Sequence, residues 1–143
     1  MSGDATPSTR DLARRWLAAV RRGGCAGAEA LALTGPDFRL HLPRALSPVV
    51  AGAGLDIPRE RLAGIDTAVR GVFDVDRCQV ARKSYDIFQG DKGGMQAELA
   101  LRTPGGKAFE IVLAITFARA GDTLSAVWVH ADTAEVMHRL AAA

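Results

Sequence analysis

The sequence predicts an α+β domain in which helices pack on a curved, mostly antiparallel sheet and enclose an apolar pocket. Three observations point there. Apolar residues at helical spacing are confined to the first half. The second half reads as four strand-like runs separated by short glycine-containing turns. The stretch 109–117 is apolar at nearly every position, which suits a central strand covered on both sides.

In the N-terminal part, residues 1–7 read as a disordered tail, and 8–143 as a single domain. Ser8 followed by Asp11 resembles a capping box, with Asp in the place of Glu. Leu12, Trp16, Leu17 and Val20 then define one apolar helix face, and Gly23-Gly24 end the helix. A second short helix fits 26–33, broken by Thr34-Gly35-Pro36, and a strand fits 38–42, stopped by Pro43. Residues 43–57 lack a period yet are apolar, so 44–57 is expected to form a mobile rim over a pocket. A third helix fits 58–73, with Leu62, Ile65, Val69, Val72 and Phe73 inward.

Candidate strands follow at 77–89, 95–103, 108–118 and 123–131, joined by turns short enough to force antiparallel hairpins. Residues 132–141 suggest a short last helix capped by Asp132. Helices gathered before a meander cover one face of the sheet. A twisted sheet curls, and the hollow beneath the helices suits a small molecule. Because the helices cover one face only, the other face, around Val112, Ala114, Thr116 and Trp128, is expected to pair two copies into a homodimer.

Composition narrows the function. The 143 residues are 48% hydrophobic and 24% charged, with a formal net charge of +2 and scattered arginines. A nucleic-acid partner needs a concentrated basic face, and none is visible. No apolar run is long enough to cross a membrane, and the first residues are polar, so a cytoplasmic protein is expected. Cys25 and Cys78 stand alone, and no His or Cys pair has ligand spacing, so neither disulfide nor metal is implied. No phosphate loop or dinucleotide fingerprint indicates a cofactor.

Three segments resemble the nuclear-transport-factor-2-like superfamily: RWLAAVRRGG with EALALTGPDFRLHLP (15–24 and 29–43), RLAGIDTAVRGVF (61–73), and GGKAFEIVLAITFARAGDTLSAVWVHAD (105–132). The resemblance implies a cone-shaped α+β barrel and points to the SnoaL-like polyketide cyclase and ketosteroid isomerase branch. Ketosteroid isomerases use a carboxylate base, a Tyr and a protonated Asp. The matching positions here hold Leu42, Trp16 and Leu113, which excludes that proton transfer. Limonene-epoxide hydrolases keep an Arg-x-Asp that reads here as Gln96-Ala97-Glu98; their second Asp falls on Val129 and their Asn on His41. Epoxide-opening cyclases place an acid where Asp66 stands.

Glu98 and His41 are therefore the catalytic candidates. The resemblance turns Glu98 toward the pocket together with Gln96 and Arg102, where an apolar surround favours a general acid. The bland alternative is a solvated Glu98 paired with Arg102. His41 is either a proton donor or a hydrogen-bonded structural imidazole. Trp16, Leu42, Asp66, Tyr85, Gln96, Leu113, Val127 and Val129 are expected to line the substrate site. The resemblance leaves His130 and Trp128 on the opposite face, and His138 on the surface. The function expected is a cofactor-independent cyclase for a hydrophobic polyketide-type intermediate. Epoxide opening and non-catalytic binding are the alternatives.

Overall fold

The computed structural model describes residues 6–43 and 56–131, and His138 beyond them; over 82–85 it describes the backbone alone. Helix α1 runs Thr9–Gly23. Ser8 caps it, its side chain accepting from the Asp11 N–H, and Asp11 and Arg21/Arg22 oppose the helix dipole at the two ends. Gly24, at φ 84°, turns the chain out of the helix while its N–H bonds the Val20 carbonyl. Just before the helix, the Pro7 carbonyl accepts a hydrogen bond from the Arg119 guanidinium.

Helix α2 is only Ala28–Ala32, and strand β1 starts at once, Thr34–His41. The expected break at Thr34-Gly35-Pro36 is thus part of the strand. Proline is tolerated because the pairing of β1 with its neighbour is irregular between Thr34 and Arg39, where no ladder donor is needed. A short strand β2, Asp56–Pro58, pairs antiparallel with β1. It replaces the last part of the expected rim; residues 44–55 lie outside the described residues, as do Asp132 and, except for an exposed helical His138, the expected last helix. A 3-10 turn, Arg59–Arg61, leads into α3, Leu62–Val72, so Pro58 precedes the turn instead of opening the helix. Arg59 secures this passage by donating to Thr34 Oγ1 and to the Leu31 carbonyl.

After a second 3-10 turn at Val75–Arg77 come β3 Gln79–Gln89, β4 Lys92–Arg102, β5 Ala108–Ala120 and β6 Thr123–Ala131, an antiparallel meander. The six-stranded order is β2-β1-β6-β5-β4-β3, and β1 lies parallel to β6. This is the α+β architecture expected, with helices over a large, mostly antiparallel sheet.

The core lies between α1, α3 and the concave sheet face. Leu12, Ala13, Trp16 and Ala19 bring α1 onto Phe38, Leu40, Met95, Phe117 and Val127, with Leu62 and Ile65 of α3 beside them. The Trp16 ring meets Phe38 at 6.3 Å and Phe117 edge-on at 6.2 Å between centroids. At one end the β3–β4 turn closes on the start of α1, where Thr9 Oγ1 donates to the Gly90 carbonyl at 2.6 Å and Asp86 pairs with Arg10 and Arg14. Among the described residues no helix is long and apolar enough to cross a membrane.

Candidate ligand-binding site

Two recesses lie between the helices and the concave face. The larger, about 340 Å³, is walled by Leu17 and Val20 of α1, Val75, and Met95, Ala97, Leu99, Leu101, Leu113 and Ile115 of β4 and β5. The smaller, about 160 Å³, is bordered by Trp16, Cys25, Leu40, Ile65, Asp66, Val69 and Val129. Val20 and Val75 belong to both, so the two adjoin.

Strand alternation decides which side chains reach this space. Directly opposed residues share a face. Met95 pairs with Ile115 and Ile115 with Val129, Ala97 with Leu113, and Leu99 with Ile111. Odd-numbered residues of β4 and β5 therefore face the helices. Gln96 and Glu98 pair with Ala114 and Val112, and Val112 is 47% exposed. The expectation that Glu98 and Gln96 face the pocket is thus corrected: both lie on the convex side of the sheet. Arg102, two further pairs along, shares that side.

His41 is placed similarly. It pairs with Trp128 across the β1–β6 seam, and the two rings stack at 5.1 Å with 7° between planes. Its Nδ1 is 3.6 Å from Asp56 Oδ1. The buried neighbour Leu40 takes the inner face, so His41 looks outward with Trp128. His130 is exposed and 3.4 Å from Thr116 Oγ1, on that same outer face.

Asp66 does border the smaller recess, but its carboxylate is committed. Oδ1 accepts the Cys25 N–H and Oδ2 the Ala26 N–H, each at 2.8 Å, and the Cys25 thiol approaches Oδ1 at 3.1 Å. These bonds pin the α1–α2 turn to α3. The contact is close enough that a Cβ on Gly24 would stand 2.7 Å from the carboxylate. Burial, and then the hydrogen bond and charge of Asp66, push the Cys25 thiol well above its ordinary pKa, so it is a neutral group.

The remaining expected site residues divide. Trp16, Leu113 and Val129 are recess wall, while Val127 belongs to the packed core and the half-buried Leu42 packs against it. The Tyr85 side chain lies outside the described residues. Trp16 is 4% exposed, and its indole Nε1 is buried with no hydrogen-bond partner among the described residues. An unmatched buried donor costs about 1–3 kcal/mol. Sequence reasoning passed over Leu17, Met95, Ala97, Leu99 and Ile115. The period-two pattern of 95–102, with Met95, Ala97, Leu99 and Leu101 on one face and Gln96, Glu98 and Arg102 on the other, carried that signal.

No family model matches the chain, and neither does any curated protein. Many solved structures do resemble it. An NTF2-like protein of unknown function from Burkholderia pseudomallei K96243 aligns at TM-score 0.78 and 17% identity, over 92% of this chain and 96% of that one. TerC, crystallised with polyporic acid, aligns at TM-score 0.78 and 13% identity, over 93% and 98%. A candidate SnoaL-like polyketide cyclase from Jannaschia sp. CCS1 aligns at TM-score 0.69 and 16% identity, over 99% of each chain. The fold is that of the nuclear-transport-factor-2-like proteins, with SnoaL-like cyclases among its representatives. At such identities the likeness speaks for the fold, which hosts many chemistries.

Proposed function

We propose that this chain binds a hydrophobic polyketide-type biosynthetic intermediate beneath α1 and promotes its ring closure by holding it in a folded, reactive shape. The observation that carries the reading is the apolar wall of the larger recess, adjoining a second recess bordered by Trp16, whose buried indole N–H has no acceptor among the described residues. Positioning alone lowers a barrier by several kcal/mol, on the order of 7 for well-oriented reactants. Trp16 supplies a donor for a substrate carbonyl, and the Trp16 ring, Leu113 and Val129 supply shape. The fold likeness to TerC and to a candidate cyclase supports a pocket for an apolar metabolite.

Epoxide opening loses its support, since Glu98 and His41 face away from the recess and Asp66 is occupied by the α1–α2 turn. Non-catalytic binding is the second reading, favoured by the same apolar wall. We also propose that two copies pair through the convex face around Val112 and Trp128.

Two measurements test the main reading. In a Trp128→Phe variant Trp16 is the sole indole, and its fluorescence is expected to quench on titration with polyporic acid. Loss of quenching there, with quenching retained by Trp128 in Trp16→Phe, would place binding on the outer face and refute the pocket. Catalysis is then read from a synthetic linear poly-β-ketone thioester, whose cyclised product ratio should shift with protein present and revert with Ala97→Trp, which fills the recess. Saturable quenching with an unchanged product ratio would identify a binding module.

A further inference from the structure

The larger recess has a charge pattern that its apolar wall conceals. Besides the apolar residues, it is bordered by Arg21, Gln79 and Cys78, and no acid is among its described lining residues. Arg21 sits in the last turn of α1 and is exposed. Its neighbour Arg22 is neutralised by Glu29, with nitrogen–oxygen distances of 3.1 and 2.6 Å, and Arg77 by Asp74 at 3.4 Å. Arg21 has no carboxylate partner among the described residues. Because consecutive helical residues point about 100° apart, Arg22 turns toward α2 while Arg21 borders the recess.

A guanidinium beside an apolar wall is the arrangement that recognises an amphiphilic anion. The apolar body leaves water against Leu17, Met95, Ala97, Leu99 and Ile115, and the head stays at the rim on a planar cation that suits a carboxylate. Gln79, also exposed at the rim, offers an amide N–H to the second oxygen. The smaller recess is bordered by both Asp66 and Arg70, whose charges offset each other, whereas the larger has Arg21 with no acid among its described lining residues, which favours the Arg21 end for the head. At about 340 Å³ the recess lies toward the lower end of small-molecule sites, roughly 300–1,000 Å³.

We propose that the ligand of the larger recess is an amphiphilic organic anion, an apolar body carrying a carboxylate, with the carboxylate held by Arg21 and Gln79. This deepens the pocket reading and rests on it. The test uses N-phenyl-1-naphthylamine, a neutral fluorophore, to occupy the recess, and decanoate and decanol to displace it below their aggregation concentrations. In Arg21→Gln the fluorophore and decanol should bind as in wild type, while decanoate weakens about fivefold or more, as expected for losing one partly exposed charge-assisted contact. Arg21→Lys should recover part of the decanoate affinity, and Arg22→Gln should change nothing. Equal behaviour of decanoate and decanol toward Arg21→Gln would overturn the inference while leaving the pocket intact. Failure of the fluorophore to bind wild type, or binding that survives Ala97→Trp, would overturn both.

Discussion

Asp66 and Cys25 hold the turn that separates α1 from α2, and their chemistry sets a pH signature. The Cys25 thiol is buried against a carboxylate, so its pKa in the folded state lies above the ordinary 9.0. A raised folded pKa contributes stability that is fully present below the unfolded value and is lost as pH climbs above it. Between pH 8 and 10 the wild type should therefore lose more stability than Cys25→Ser, with a limiting slope of about 1.4 kcal/mol per pH unit above roughly pH 9. Urea unfolding at the two pH values measures this; identical losses in both proteins would contradict it. Individual roles of this kind were poorly legible in the sequence. Asp66 looked like a pocket acid because nothing local reveals that two backbone N–H groups some forty positions earlier claim its oxygens.

Strand β4 shows at the level of an element how a side chain's neighbours fix its role. Ala97 faces the recess and Glu98, one residue on, faces outward beside Val112. Two adjacent substitutions should behave oppositely. Ala97→Phe, which fills the recess without adding an indole, should abolish ligand quenching of Trp16, whereas Glu98→Gln should leave both quenching and product ratio at the wild-type level. A tenfold loss of turnover in Glu98→Gln, about 1.4 kcal/mol, would restore the acid reading and refute the outward placement of Glu98. Most elements were legible, because caps and turns are local: Ser8 and Gly24 bound α1, and β6 runs over the expected 123–131. Strand β2 and the early start of β1 were not, since three residues at Asp56–Pro58 and a strand containing Gly35 and Pro36 are fixed by their partners and not by propensity. The family resemblance led to the correct fold, while its alignment put Glu98 on the face that simple alternation denies it.

For the whole molecule, size and chemistry bear on the convex face. Val112 is 47% exposed there, with Ala114, Thr116, the stacked His41–Trp128 pair and Glu98 on the same side. A second copy covering this face would bury apolar surface that the helices cannot reach. Val112→Arg should then convert a dimer to a monomer at micromolar concentration by light scattering, with ligand quenching of Trp16 retained; a wild-type monomer would exclude the assembly. The parallel seam, where Thr34 lies beside Leu124 and Leu40 beside Val127, has a different consequence. Hairpins of the meander close short loops, but β1, paired early with β2, gains its parallel neighbour β6 only after β3, β4 and β5 have been made, and such distant pairings form slowly. On the ribosome, Trp16, Phe38 and Leu40 emerge well before Phe117 and Val127, the core partners that cover them. The strand that completes the sheet is thus also the one that ends the nascent chain's period of stickiness, when unpaired strands and bare apolar faces invite aggregation.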